Sequence, residues 1–168
     1  MTLIKSNNII LGAKYYELDD TSKTWCYTSN KPFTNNQIQT IEHIANAFLD
    51  QWESHGKKVK GAIQVVNNQF IVIMADPCGE DMCGRAQDAS VRLIKELENE
   101  LGLILMDRAN VAIESNGRIE VKSFVDIRNE IANNTLSEDT LFYDGLINKK
   151  EDFEKSWKKP IKGSWLAI

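Results

Sequence analysis

Histidine is scarce in this chain, with two in 168 residues, and cysteine is nearly so, at three. A closed structural zinc site needs four Cys or His ligands. Cys26, Cys78, Cys83, His43 and His55 are the whole supply, and the two His have no paired ligand spacing. Cys78-x4-Cys83 is a permissible ligand pair, but it is not the C-x-x-C of a dithiol switch. The sequence therefore calls for no metal and no cofactor. An export signal is missing as well, since Met1 to Lys5 lacks a charged start followed by a long apolar stretch. No apolar run approaches the roughly 20 residues that span a bilayer. An odd thiol count without export reads as reduced cysteines in the cytoplasm. Basic excess is lacking too, the net charge being −4. That balance disfavours nucleic acid and anionic membrane as partners. The basic clusters Lys57-Lys58-Val59-Lys60 and Lys155 to Lys162 read as a solvated loop and tail. No Ser sits in a G-x-S-x-G context. The carboxylate pairs Asp19-Asp20, Glu80-Asp81 and Glu138-Asp139 fall in turn-like stretches with no aromatic pocket to split their pKa values. Internal repeats and low-complexity segments are also missing.

What is present fits one α+β domain over 1–168: an N-terminal extension (1–23), a sheet-and-helix core (24–124) and a helical C-terminal tail (125–168). Apolar residues make up 42% and charged residues 26%, enough for a core. Ile9-Ile10-Leu11 could be a short strand. Thr24 to Ser29, with Trp25 and Tyr27, suits another. Ile38, Ile41, Ala45, Phe48, Leu49 and Trp52 recur at helical spacing. Thr34 and Gln37 form a capping box, Phe33 and Ile38 a hydrophobic staple, and Gly56 a left-handed stop, predicting a helix over 35–55. Val59 to Val66 and Gln69 to Ala75 flank Asn67-Asn68, a primed-turn pair. Phe70 to Ala75 is apolar on both faces, as a central strand is. Ser90 to Leu101 reads as a second helix, with Val91, Ile94, Leu97 and Leu101 buried and Gly102 ending it. Asn110 to Ser115 and Arg118 to Phe124 flank Asn116-Gly117, a strong hairpin signal. The tail reads as short helices, anchored by Trp157 and Trp165. The predicted architecture is an antiparallel sheet of about five strands with two main helices on one face. Its order matches the ferredoxin-like βαββαβ unit or, alternatively, a roadblock- or profilin-like scaffold.

Asp76 to Ser90 is the stretch that could carry chemistry, because it joins a central strand to a helix. Gly79 and Gly84 have the G-x-x-x-x-G spacing of a P-loop, yet Arg85 and Ala86 stand where Lys and Ser/Thr should follow. Plain anion contact at the helix start is the milder reading. Cys83, just before the helix and near Arg85, is the candidate nucleophile, since both features lower a thiol pKa. It also needs a base, and neither His can be placed beside it from sequence. Asp88 reads as a helix N-cap.

Several short runs carry a resemblance: Trp25-Cys-Tyr-Thr-Ser-Asn-Lys-Pro-Phe-Thr34, Trp52-Glu-Ser-His-Gly56, Asn68-Gln-Phe-Ile-Val-Ile-Met-Ala-Asp76, Cys83 with Asp88-Ala-Ser-Val91, and Asp107-Arg-Ala-Asn-Val-Ala112. Over about 24–165 the chain resembles a family of small bacterial proteins of uncharacterised role that carry the label "ABC transporter ATPase". An ABC ATPase needs an intact Walker A, a Walker B on a separate strand and an LSGGQ-type signature, and this chain has none. The resemblance implies Cys83, Asp88, Ser90, Asp107 and Arg108 as family-like polar positions.

Three functions follow as expectations. The first is a non-enzymatic binding or scaffold domain, its partner a protein, a small molecule or a second copy in a homodimer. The second is a small-molecule or anion-binding enzyme or sensor using the 76–90 loop, with Gly79, Cys83, Gly84, Arg85, Asp88, Ser90, Asp107 and Arg108 as candidates. The third is the ATPase of the label.

Overall fold

In the computed structural model, the structure describes residues 8–76 and 81–167. The chain is α+β with antiparallel sheets. Strand β1 (Ile9–Gly12) is followed by β2 (Lys23–Thr28), then helix α1 (Asn35–Gln51). A two-stranded hairpin, β3 (Glu53–Ser54) and β4 (Lys57–Lys58), leads into β5 (Lys60–Val66) and β6 (Phe70–Asp76). Helix α2 (Gly84–Leu101) precedes the hairpin β7 (Asn110–Ser115) and β8 (Arg118–Ser123), and α3 (Phe124–Ala132) follows directly. The C-terminal stretch holds β9 (Leu141–Tyr143), α4 (Lys150–Ser156) and β10 (Lys158–Pro160).

The main strands do not share one sheet of about five. They divide into two four-stranded sheets, β1-β5-β6-β2 and β10-β9-β7-β8, every pair antiparallel. Neither the ferredoxin-like order nor the roadblock- or profilin-like one is shown by this pairing. The Asn116-Gly117 hairpin, expected beside the first one, builds the second sheet with β9 and β10. The C-terminal stretch thus supplies two strands as well as short helices.

Alternation along the strands explains the layers. One face of the first sheet, with Tyr27, Ile63, Val65, Ile71 and Ile73, packs under α1 and α2. Its other face, with Cys26, Ala62, Val66, Phe70, Val72 and Met74, meets Ala112 and Tyr143 of the second sheet. Val111, Ile113 and Phe142, on the far side of the second sheet, pack with Ile127 of α3 and with Ile161 and Leu166. Strands β5 and β6 are therefore covered on both sides, as the continuous apolar run of 70–75 requires.

Both chain reversals have the backbone their residues suggest. Asn67 and Asn68 lie at φ 52 and 54, Asn116 and Gly117 at 53 and 76. The capping box of α1 is intact: Gln37 N–H donates to Thr34 Oγ1 at 3.2 Å and Thr34 N–H to Gln37 Oε1 at 2.9 Å. Gly102 closes α2 at φ 66. Two boundaries differ. Helix α1 ends at Gln51, because Trp52 turns extended to reach the core, so Gly56 is no helix stop. Helix α2 begins at Gly84, six residues before the expected Ser90. Its buried stripe runs through Ala86, Ser90, Leu93, Ile94, Leu97 and Leu101, with Leu93 in the place expected for Val91.

Candidate functional site: the Cys83 cleft

Trp52 sets the site. Its indole is buried, and Nε1 donates to the carbonyl of Ala86 at 2.9 Å, tying the end of α1 to the first turn of α2. The chain then makes the β3–β4 hairpin, closed at its base by Val59 N–H donating to the Trp52 carbonyl at 2.9 Å. Its two turn residues, His55 and Gly56, both have positive φ, 53 and 74, a pair that matches a primed turn. Glycine adopts this freely, whereas histidine there is uncommon.

The hairpin is bonded side-on to the segment before α2. Cys83 N–H donates to Ser54 Oγ at 3.0 Å. His55 Nε2 lies 2.8 Å from the Asp81 carbonyl. A carbonyl oxygen only accepts, so Nε2 carries a proton and donates it.

Cys83 is the N-cap residue of α2 and is half-buried. Its thiol is lowered from 9.0 to about 7. The largest cause is the His55 backbone N–H, followed by the Ser54 hydroxyl and the Ala86 N–H; a little burial opposes them, and the Arg85 N–H adds least. The sulfur makes no short, aligned cap bond to α2, which fits the hairpin leading this order. Helix and Arg85 were the features expected to activate this thiol. The helix contributes through its N–H groups and Arg85 through its backbone, while the hairpin contributes more. Cys26 behaves oppositely: it is buried in β2, and burial pushes its thiol up despite nearby Arg108.

These groups open onto a cleft of about 520 Å³. Phe48, Trp52 and Ala89 form its apolar wall, and Glu53, His55, Cys83 and Arg85 its polar rim. That volume lies in the range of small-molecule sites, about 300–1,000 Å³.

Of the residues singled out in the sequence, Cys83 and Arg85 meet in this cleft. Gly79 and Cys78 lie outside the described residues. Gly84 is the first residue of α2, and a Cβ there would meet nothing within 4 Å, so no close backbone approach explains it. Asp88 is exposed within α2 and is not its N-cap. Ser90 is buried and donates to the Gln87 carbonyl at 2.7 Å. Asp107 and Arg108 line a different cleft of about 30 Å³, room for about one water. There Asp107 accepts from Ala109 N–H at 2.9 Å, and the Arg108 guanidinium lies 5.2 Å from the centre of the Tyr27 ring. Sequence reasoning missed Ser54 and His55. Their only signal was the run Trp52 to Gly56, in which His-Gly can be a primed turn as well as a helix end.

Among the described residues no three His, Cys, Asp or Glu side chains gather as a metal site, and no helix is long and apolar enough to cross a membrane. Compared with known proteins, the chain has no significant match to a family model, a curated protein or a solved structure.

Proposed function

We propose that this protein is a small-molecule enzyme or sensor whose working group is the Cys83 thiol. One observation supports this above the others: a half-exposed thiol ionising near neutrality opens onto a ligand-sized cleft that also holds an imidazole. A nucleophilic cysteine needs such a neighbour, and the sequence could not supply one. A thiol kept free for reaction belongs in a reducing compartment, so cytoplasmic location is part of the same proposal. The scaffold reading ranks second, because it rested on the want of an assembled reactive set. The likeness to the bacterial "ABC transporter ATPase" family is retained as a proposal of kinship, without ATP hydrolysis as the activity.

The test is the rate of Cys83 alkylation by iodoacetamide against pH, in a Cys78→Ser background, with the adduct located by mass spectrometry. Thiolate is the reacting form, so the rate falls as pH drops through the thiol's pKa. The expected midpoint is about 7. Cys26, being buried, stays unlabelled in the folded protein. A midpoint near the free-thiol value of about 8.5 would remove the basis of the proposal.

A further inference from the structure

We propose that two copies of this chain associate through strand β8. The two β8 edges pair antiparallel about a two-fold axis, so that the second sheet runs on into that of its partner. This interface is independent of the Cys83 reading.

Sheets recruit further strands at their edges, because an outer strand keeps a row of unpaired N–H and C=O groups. Four strands are outermost in the two large sheets: β1 and β2 of the first, β10 and β8 of the second. Strand β1 has four residues, and β10 has three and ends in Pro160. The outer side of β2 is partly taken. Thr24 N–H donates to the Asn148 carbonyl at 3.0 Å, and Arg108 donates to the Cys26 carbonyl at 3.4 Å. Strand β8 has six residues and no proline, all in unbroken register with β7.

The backbone of β8 divides by parity. Phe124 N–H donates to the Ala109 carbonyl at 2.9 Å, continuing the ladder past Ser123. Arg118, Glu120 and Lys122 therefore turn their N–H and C=O groups toward β7. Ile119 and Val121 turn theirs outward, as does the N–H of Ser123. Among the described residues nothing bonds these outward donors and acceptors.

The side chains select the occupant. Arg118, Glu120 and Lys122 stand opposite Ser115, Ile113 and Val111 of β7, on the face toward α3. A row of like charges would repel a second copy, whereas this row alternates in sign. With Val121 set against Val121 of the second copy, each Glu120 faces a Lys122, two opposite-charge pairs from one symmetric contact. Lys122 Nζ already lies 3.4 Å from Glu120 in its own chain, so the four groups form a square of alternating charge. Ile119 then meets Ser123, and outward backbone groups meet outward ones. Centring on Ile119 instead would overlap only residues 118 to 120. Centring on Glu120 would set that carboxylate against itself and Arg118 against Lys122.

The experiment is sedimentation equilibrium of the full chain over a range of concentrations, in reducing buffer. A pair of short strands is a small interface, so the parent should show a concentration-dependent monomer–dimer equilibrium. Val121→Pro removes an N–H that β7 does not use, a change edge strands tolerate. It should be monomeric where the parent is dimeric, with the parent's circular dichroism. Glu120→Lys and Lys122→Glu should each weaken the dimer about tenfold or more, since like charges then face each other. Mixed in equal amounts, these two variants should form a heterodimer, because each offers the other the opposite charge at both positions. A parent that stays monomeric throughout would overturn the proposal. So would a dimer that survives Val121→Pro and both charge reversals, because its contact lies elsewhere. Should the proline variant unfold, the mixture decides: a recovered dimer upholds the pairing, and a mixture of monomers overturns it.

Discussion

At the residue scale, Gly61 supports the site from behind. A Cβ built on it would stand 2.7 and 2.8 Å from two carbons of the Trp52 ring. Ring and methyl cannot both fit, and overpacking of this kind costs about 1–3 kcal/mol. Gly61→Ala should therefore lower stability by that amount in urea unfolding. Because Trp52 also holds the Ala86 carbonyl, the shifted ring should loosen the hairpin from α2 and raise the Cys83 alkylation midpoint. Unchanged stability and midpoint would show that the contact is soft. Cys83 could be picked from the sequence because thiols are rare here and this one precedes a helix. His55 could not. Its partners are the carbonyl of Asp81 and, through its N–H, the sulfur of Cys83, both more than 25 residues away, and no local rule pairs such distant groups.

At the element scale, the ends of α1 and α2 show which signals are local. The N-terminus of α1 is written in four consecutive residues, Thr34 to Gln37, whose bonds close on each other. Thr34→Ala should cost about 1 kcal/mol, read as a lowered denaturation midpoint, with Cys83 reactivity unchanged because that end of the helix lies far from the cleft. The start of α2 is written elsewhere. Asp88 and Ser90 both have cap chemistry, so a later start looks natural from sequence. The structure extends the helix back to Gly84 because Ala86 is buried, its carbonyl accepts from Trp52, and Cys83 is held by Ser54. Those contacts outweigh a local cap. Likewise Gly56 reads as a helix stop until the burial of Trp52 ends α1 early and leaves His55-Gly56 to turn a hairpin.

At the scale of the whole molecule, the second sheet is what encloses β5 and β6. Trp157 packs against Phe70 and Tyr143 with ring centroids 4.9 and 4.8 Å apart, joining the C-terminal stretch to both sheets. Trp157→Ala should cost about 3–5 kcal/mol, and a protein that unfolds at the parent's denaturant midpoint would show that this layer contributes little. The two Trp of the tail were legible as anchors, since large aromatics bury much area. The strands they brace were not, because β9 and β10 have three residues each, too few for an alternation to register. Local chemistry along the chain was enough to determine the α+β class, the reversals at 67–68 and 116–117, the cap of α1 and the thiol worth watching. Each of these depends on residues within a few positions of one another. The division of strands into two sheets, the early start of α2 and the meeting of Ser54 and His55 with Cys83 were decided by tertiary packing. They arise from long-range burial of Trp52, Phe70 and Trp157, which brings together segments that share no local pattern.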